Sequence, residues 1–387
     1  MSRLGALLLC IALGLGSAHA APPEHLRPGE RPAPGTTEAE LWYGMDQAEK
    51  EIRQSPYIVR DPSLNAYVRE VLCKVTREYC KDLRLYIVDL PVFNASMAPN
   101  GVTLVFTGAL LRMRDEAELA VVLGHEFAHY RARHSLEGWT SAKRTSALLS
   151  TIGLVTLGAG VPIAGDLALL AGMSGLFKQS RDNEREADRL GFQTAVAGGY
   201  DPHAGVRLWE RLRREERADR THKNRAVFAS HPQTDERVAD IRAAAVSLGT
   251  EGRREQDAFR AAMRPFQQHW LEGELSRRTY DTTVQVIGEL RQDAPRELTA
   301  LYAYYLGEAH RRRAKGDDLA RAAALYAEAI ALPDPPPAAW REHGLALQKQ
   351  GDRAAAAQAL RRYLDVAPDA KDAALVRHYI SQLESTR

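Results

Sequence analysis

Residues 121–134 read VVLGHEFAHYRARH, and this stretch limits what the chain can fold into more than any other. His125 and His129 are four apart, just over one helical turn, so on a helix both rings project from one face and can meet one ion. The run Leu119–Gly124, LAVVLG, leads directly into them, so the helix enters buried structure. Two imidazoles and a carboxylate facing a core with no ion would be costly to desolvate. Neutral imidazole suits zinc, at nitrogen distances of ~2.0–2.1 Å. Glu126 sits about 100° further round the helix, near enough to take a proton from a water held on such an ion without being a ligand. The pattern predicts a zinc site with Glu126 as general base. Its helix is expected to start near Asp115, in a capping box with Glu118, and to run through His134.

A catalytic zinc keeps three protein ligands and one open position, so a third ligand must come from elsewhere in the chain. Ser180–Phe192, SRDNEREADRLGF, offers Glu184 and Asp188, again four apart on an expected helix. One carboxylate serves the metal and the other can orient a histidine ring through its N–H. Glu186 is expected to point away from that face. Between the two helices lies 146–177, interrupted by a single charge, Asp166. One membrane crossing there would put Glu184 on the opposite side from His125, and two crossings need about 40 residues plus a turn. The expectation is therefore an apolar helical hairpin that covers the site or touches a membrane surface, with at most peripheral membrane contact.

The chain has 52 basic and 50 acidic side chains, a balance that gives no bulk attraction for nucleic acid. Residues 1–20 end their apolar run in Ala18-His19-Ala20, which reads as an export signal, and 21–36 is a proline-rich flexible leader. Export implies an oxidising compartment for Cys73 and Cys80. In one unbroken helix their Cα atoms would lie roughly 10 Å apart, so a bond between them requires the helix to end in the interval. Thr37 and Glu40 resemble a capping box opening a helix to about Arg53, and a second helix follows Pro62. RLYIVD, VFNASM and VTLVF read as short strands, with Ala98–Gly101 as the turn before the last, whose backbone could pair with an extended substrate. The fold class expected is α+β, mainly helical with a small β-sheet over 37–250, followed by an all-α module over 256–387. In that module Trp340, Gly344, Leu347, Gly351, Ala356, Leu360 and Pro368 fall at spacings like those of a tetratricopeptide repeat, with a less regular copy from Gly307 to Pro333.

HEFAH followed by EREAD resembles the gluzincin zinc metallopeptidases of the HtpX and CAAX prenyl protease type, nearest the exported BepA-like branch with C-terminal tetratricopeptide repeats. The resemblance runs from about Thr37 to Val246 and includes DPSLNAYV, NGVTLVFTGAL and SHPQTDER. It implies a zincin-like metalloprotease domain in which His125, His129 and Glu184 bind one zinc per chain, Glu126 is the base, and Asp188 stands behind the ligands. It also implies that His231 and Arg237 lie near the metal. Either could stabilise the oxyanion, or His231 could fill the open zinc position and hold the enzyme latent. The implied protein is a periplasmic endopeptidase acting on unfolded or misassembled envelope and outer-membrane polypeptides. Its repeats would deliver substrates or dock on outer-membrane assembly machinery. The competing reading is a periplasmic chaperone or scaffold with a latent zinc site; Glu126, which a structural site does not need, separates the two. The remaining histidines, such as His134, His203, His222 and His343, are expected to be structural or exposed.

Overall fold

A computed structural model describes residues 25–144, 180–219, 235–249 and 251–385. The expected export signal 1–20, the apolar stretch 146–177, His222 and His231 lie outside the described residues. The architecture is mainly helical with one small sheet, as the sequence predicts.

Helix α1, Thr37–Gln54, is capped one residue earlier than expected: Thr36 Oγ1 accepts the Ala39 N–H at 3.2 Å. Helix α2, Pro62–Thr76, is opened by Asp61, whose carboxylate accepts the Leu64 N–H at 2.8 Å. It stops at Thr76 because Arg77 takes φ 51° and starts a 3-10 turn, Arg77–Asp82. That break returns Cys80 to Cys73, with Cα atoms 4.9 Å apart, and the two are disulfide-bonded.

Strands β1, Arg84–Val88, β2, Ala95–Met97, and β3, Val102–Phe106, form a three-stranded sheet in the order β1-β3-β2. The β2–β3 turn uses Gly101 at φ 85°, whose N–H donates to the Ala98 carbonyl at 2.8 Å. β3 pairs parallel with β1 and antiparallel with β2, so both of its edges are used. The expectation that VTLVF offers its backbone to a substrate is therefore corrected: it is the central strand, and the edge strand on that side is β2.

Helix α3, Thr107–Arg112, leads into α4, Glu116–Arg131, which is buried from Glu116 to Tyr130 and forms the axis of the domain. Asp115 caps α4 by accepting the Glu118 N–H at 3.0 Å. The helix does not reach His134. Arg133 adopts φ 55°, and a separate helix, α5, His134–Arg144, begins there. Helices α6, Arg181–Ala197, α7, Ala204–Ala218, and α8, Asp235–Leu248, complete this part.

The C-terminal helices are α9, Gln256–Met263, α10, Gln267–Ser276, α11, Tyr280–Gln292, α12, Thr299–Arg313, α13, Asp318–Ala331, α14, Pro337–Lys349, α15, Arg353–Val366, and α16, Ala373–Ser385. From α12 they pack as successive hairpins. Gly307 of α12 lies against Tyr326 of α13, as Gly344 of α14 lies against Leu360 of α15. Both glycines were singled out at repeat-like positions in the sequence.

One apolar core runs from Leu26 through α4 to Ala339, so the early C-terminal helices share the core of the first part. Residues 25–36 carry no regular element, yet they are not a free leader. Leu26 is buried, its N–H donates to the Arg131 carbonyl, and its carbonyl accepts the Tyr79 hydroxyl. Among the described residues no helix is long and apolar enough to cross a membrane.

Candidate metal centre

The site is made by the crossing of α4 and α6. Gly124 and Gly191 allow it: a Cβ on Gly191 would stand 2.6 Å from the His125 backbone nitrogen, and one on Gly124 would stand 2.6 Å from the Gly191 carbonyl oxygen. Only hydrogen fits at these positions, so the helix backbones touch beside the first histidine. This closeness lets short carboxylate side chains on α6 reach the imidazoles of α4.

His125, His129 and Glu184 come together, all buried, with one ligand atom from each within 4.8 Å of the others. The two Nε2 atoms are 3.1 Å apart, and Glu184 oxygens lie 3.7 Å from His125 Nε2 and 3.5 Å from His129 Nε2. In a tetrahedral zinc site with ~2.0–2.1 Å bonds, neighbouring ligand atoms stand about 3.3 Å apart. The three separations bracket that value, and the donor set of two imidazole nitrogens and a carboxylate fits a catalytic metal site.

The far side of each ring is also engaged. His125 Nδ1 is 3.0 Å from Asp188 Oδ1, and His129 Nδ1 is 2.9 Å from His134 Nδ1. In the tautomers that carry the proton on Nδ1, both Nε2 lone pairs face each other and a carboxylate, an arrangement that a cation stabilises. Asp188 is itself held by Arg237, which donates from Nε at 2.7 Å and Nη2 at 2.8 Å, while Nη1 lies 2.7 Å from Glu184 Oε2. Burial alone would raise the Asp188 pKa, but the hydrogen bonds from Arg237 and His125 outweigh it and hold it at about 2. Asp188 is therefore a fixed anion at neutral pH. Burial lowers the Arg237 pKa, yet its carboxylates, with Glu126 adding to them, leave it above the ordinary arginine value.

Glu126 is 5% exposed and sits on α4 between the two histidines in sequence. Six of the seven residues singled out from the sequence, His125, Glu126, His129, Glu184, Asp188 and Arg237, thus lie on α4, α6 and α8, and the seventh, His231, lies outside the described residues. Two further residues border this cluster. His134 is buried against His129, and Glu186, expected to point away, has Oε2 3.3 Å from His134 Nε2. The signal for His134 was the short HYRARH interval, whose meaning depends on the left-handed turn at Arg133.

Residues 59–245 match the model of peptidase family M48, a span that contains all of these side chains. The chain carries an M48 peptidase domain. Among curated relatives, the beta-barrel assembly-enhancing protease of Escherichia coli (strain K12) is 29% identical over 207 residues, 51% of this chain and 42% of that protein. The beta-barrel assembly-enhancing protease of Yersinia pestis is 30% identical over 203 residues, 50% of this chain and 41% of that protein. The mitochondrial metalloendopeptidase OMA1 of Schizosaccharomyces pombe is 32% identical over 179 residues, 45% of this chain and 51% of that protein. The chain thus spans about half or less of the length of these relatives. Placed in the M48 domain, the His-His-Glu cluster on the buried helix crossing could hold a metal ion.

Proposed function

We propose that this chain is a zinc-dependent endopeptidase, exported to the periplasm, that cleaves unfolded or misassembled envelope and outer-membrane polypeptides. The observation that carries the reading is the meeting of His125, His129 and Glu184 at tetrahedral spacing, with Glu126 on the same helix as the two histidines. One zinc per chain, when bound, would acidify the attacking water and polarise the scissile carbonyl. Glu126 would take a proton from the attacking water and return it to the leaving amine. Asp188 keeps His125 turned toward the metal position, and Arg237 locks Asp188 and Glu184 together. With its guanidinium committed to two carboxylates, Arg237 is better suited to positioning than to direct oxyanion contact. His231 is left as the candidate for the oxyanion role, or for a fourth ligand that holds the enzyme latent.

The outer edge of β2 pairs with no strand among the described residues, and β2 packs against α4. An extended substrate adding to that edge would be held by main-chain hydrogen bonds, which select unfolded segments over a stringent side-chain pattern. The hairpins from α12 onward would supply a surface for substrates or for an assembly complex. The names of the bacterial relatives support an outer-membrane setting.

The test is to offer the zinc-loaded chain one outer-membrane β-barrel protein in two states, urea-unfolded and folded in detergent. The expected result is cleavage of the unfolded state at dispersed sites, with the folded barrel resistant. Cleavage of both at one shared site would overturn the substrate class.

A further inference from the structure

His134 stands outside the ligand motif, yet its ring rests against the ring of a ligand. The left-handed turn at Arg133, φ 55°, ends α4 and folds the chain back, so His134 returns over the last turn of α4 instead of continuing along it. The two rings meet edge to face, with centroids 5.0 Å apart and the Nδ1 atoms 2.9 Å apart. Beyond His134, its Nε2 lies 3.3 Å from Glu186 Oε2. His134 is 3% exposed, so water has little access to this contact.

A neutral imidazole has one donor nitrogen and one acceptor nitrogen. To ligate through Nε2, His129 must carry its proton on Nδ1, and that proton needs an acceptor. The atom facing it is His134 Nδ1. If this nitrogen accepts, the proton of His134 sits on Nε2, where the Glu186 carboxylate faces it. One arrangement of protons satisfies all three groups, and it leaves the His129 lone pair aimed at the metal position.

We propose that His134 is a positioning residue for the metal ligand His129, and that Glu186 fixes the tautomer in which His134 can do this. The inference rests on the metal-site reading above. His125 has the shorter form of the same device, with its Nδ1 directly on Asp188 at 3.0 Å. Helix α6 therefore carries the ligand Glu184 and the orienting carboxylates for both histidines: Asp188 directly, and Glu186 through His134. Removing the His134 ring takes away the acceptor that faces this buried Nδ1–H and the ring that braces the ligand, which weakens metal binding more than folding. The Glu186 side chain is 40% exposed, so water can replace part of its role and its removal costs less.

The experiment measures zinc affinity by competition with a chromophoric chelator for the native chain, His134→Phe, His134→Asn and Glu186→Ala. Thermal melting of the zinc-free forms is recorded alongside. The expected result is ~10- to 100-fold weaker zinc binding in His134→Phe, the range seen when a partner behind a ligand is lost. His134→Asn, whose amide oxygen can stand where Nδ1 stood, recovers most of that loss, and Glu186→Ala is intermediate. In the zinc-loaded native chain, side-chain nitrogen NMR finds His134 protonated on Nε2. Zinc binding by a folded His134→Phe within about threefold of native, below the range expected for such a partner, overturns the proposal. So does a His134 protonated on Nδ1, which decides the matter even where His134→Phe does not fold. A native chain that takes up no zinc overturns the metal-site reading itself, a result seen before any substitution is made.

Discussion

At Glu49 three side chains converge on one carboxylate: Arg84 Nε donates at 2.8 Å, the Tyr86 hydroxyl at 2.6 Å and Arg53 Nη2 at 2.9 Å. Burial raises the Glu49 pKa, but these hydrogen bonds outweigh it and bring it from 4.5 to about 2. The folded value lies below the unfolded one, so this contribution to stability is fully present above about pH 4.5 and is lost as pH falls toward 2. Glu49→Gln is expected to cost about 1–3 kcal/mol at neutral pH. Denaturant melts should show its difference from the native chain shrinking between pH 5 and pH 2.5, roughly the window over which an unfolded carboxylate protonates. A difference that stays constant would contradict this. The same scale shows what was legible in the sequence. His125, Glu126 and His129 could be read because helical spacing is local, and Glu184 because an ion with two ligands needs a third. His134 could not, because its position turns on one backbone angle at Arg133, and Glu186 could not, because its partner comes from another helix.

Helix α4 is an element whose neighbours matter more than its own pattern. It has no polar face, since burial continues from Glu116 to Tyr130, and its charged side chains are met by partners from α2, α6 and α7. The crossing with α6 sets the site, so Gly191→Ala should be felt there. The new methyl would meet the His125 backbone nitrogen at 2.6 Å, and backbone cannot yield as a flexible side chain can. Overpacking of this kind costs about 1–3 kcal/mol, and separating the helices should also lower zinc occupancy. Gly288→Ala on α11, where nothing lies within 4 Å, is the control and should stabilise by about 0.5–1 kcal/mol. Equal melting temperatures for the two variants would contradict the packing argument. Replacing Cys73 and Cys80 together by serine should cost about 2–3 kcal/mol, as expected for a short closed loop, measured by denaturant unfolding against the native chain. The strands themselves were readable as short apolar runs, but their order was not, because which strand takes the centre is decided by pairing between distant segments.

Across the whole molecule, a change of composition near residue 256 suggests a boundary, yet the structure has a shared interior there. Arg112 of α3 donates to Glu215 of α7 at 2.7 Å through both Nε and Nη2, and to Glu274 of α10 at 2.9 Å. Arg277 closes the group with Nη1 3.0 Å from Glu274. Arg112, Glu215 and Glu274 are buried and Arg277 is largely covered, and burial costs each charge its water, so each depends on the others. Glu274→Leu should therefore destabilise by about 3–5 kcal/mol, read as a drop in the unfolding midpoint of the full chain. A chain ended at 255 would lose Glu274 and also Phe259, Met263, Trp270 and Leu271 from the core, so deletion removes stability along with any partner surface. Periodicity shows the helices of both parts but carries no information about charges meeting across the sequence.

The most direct test of the central claim sets the native chain beside Glu126→Gln, with bound zinc counted and cleavage of a denatured outer-membrane protein followed in both. The account expects one zinc per chain in each and cleavage only in the native protein. Cleavage by Glu126→Gln at the native rate would contradict it, as would a native chain that holds zinc and cleaves nothing even when His231 is replaced by alanine.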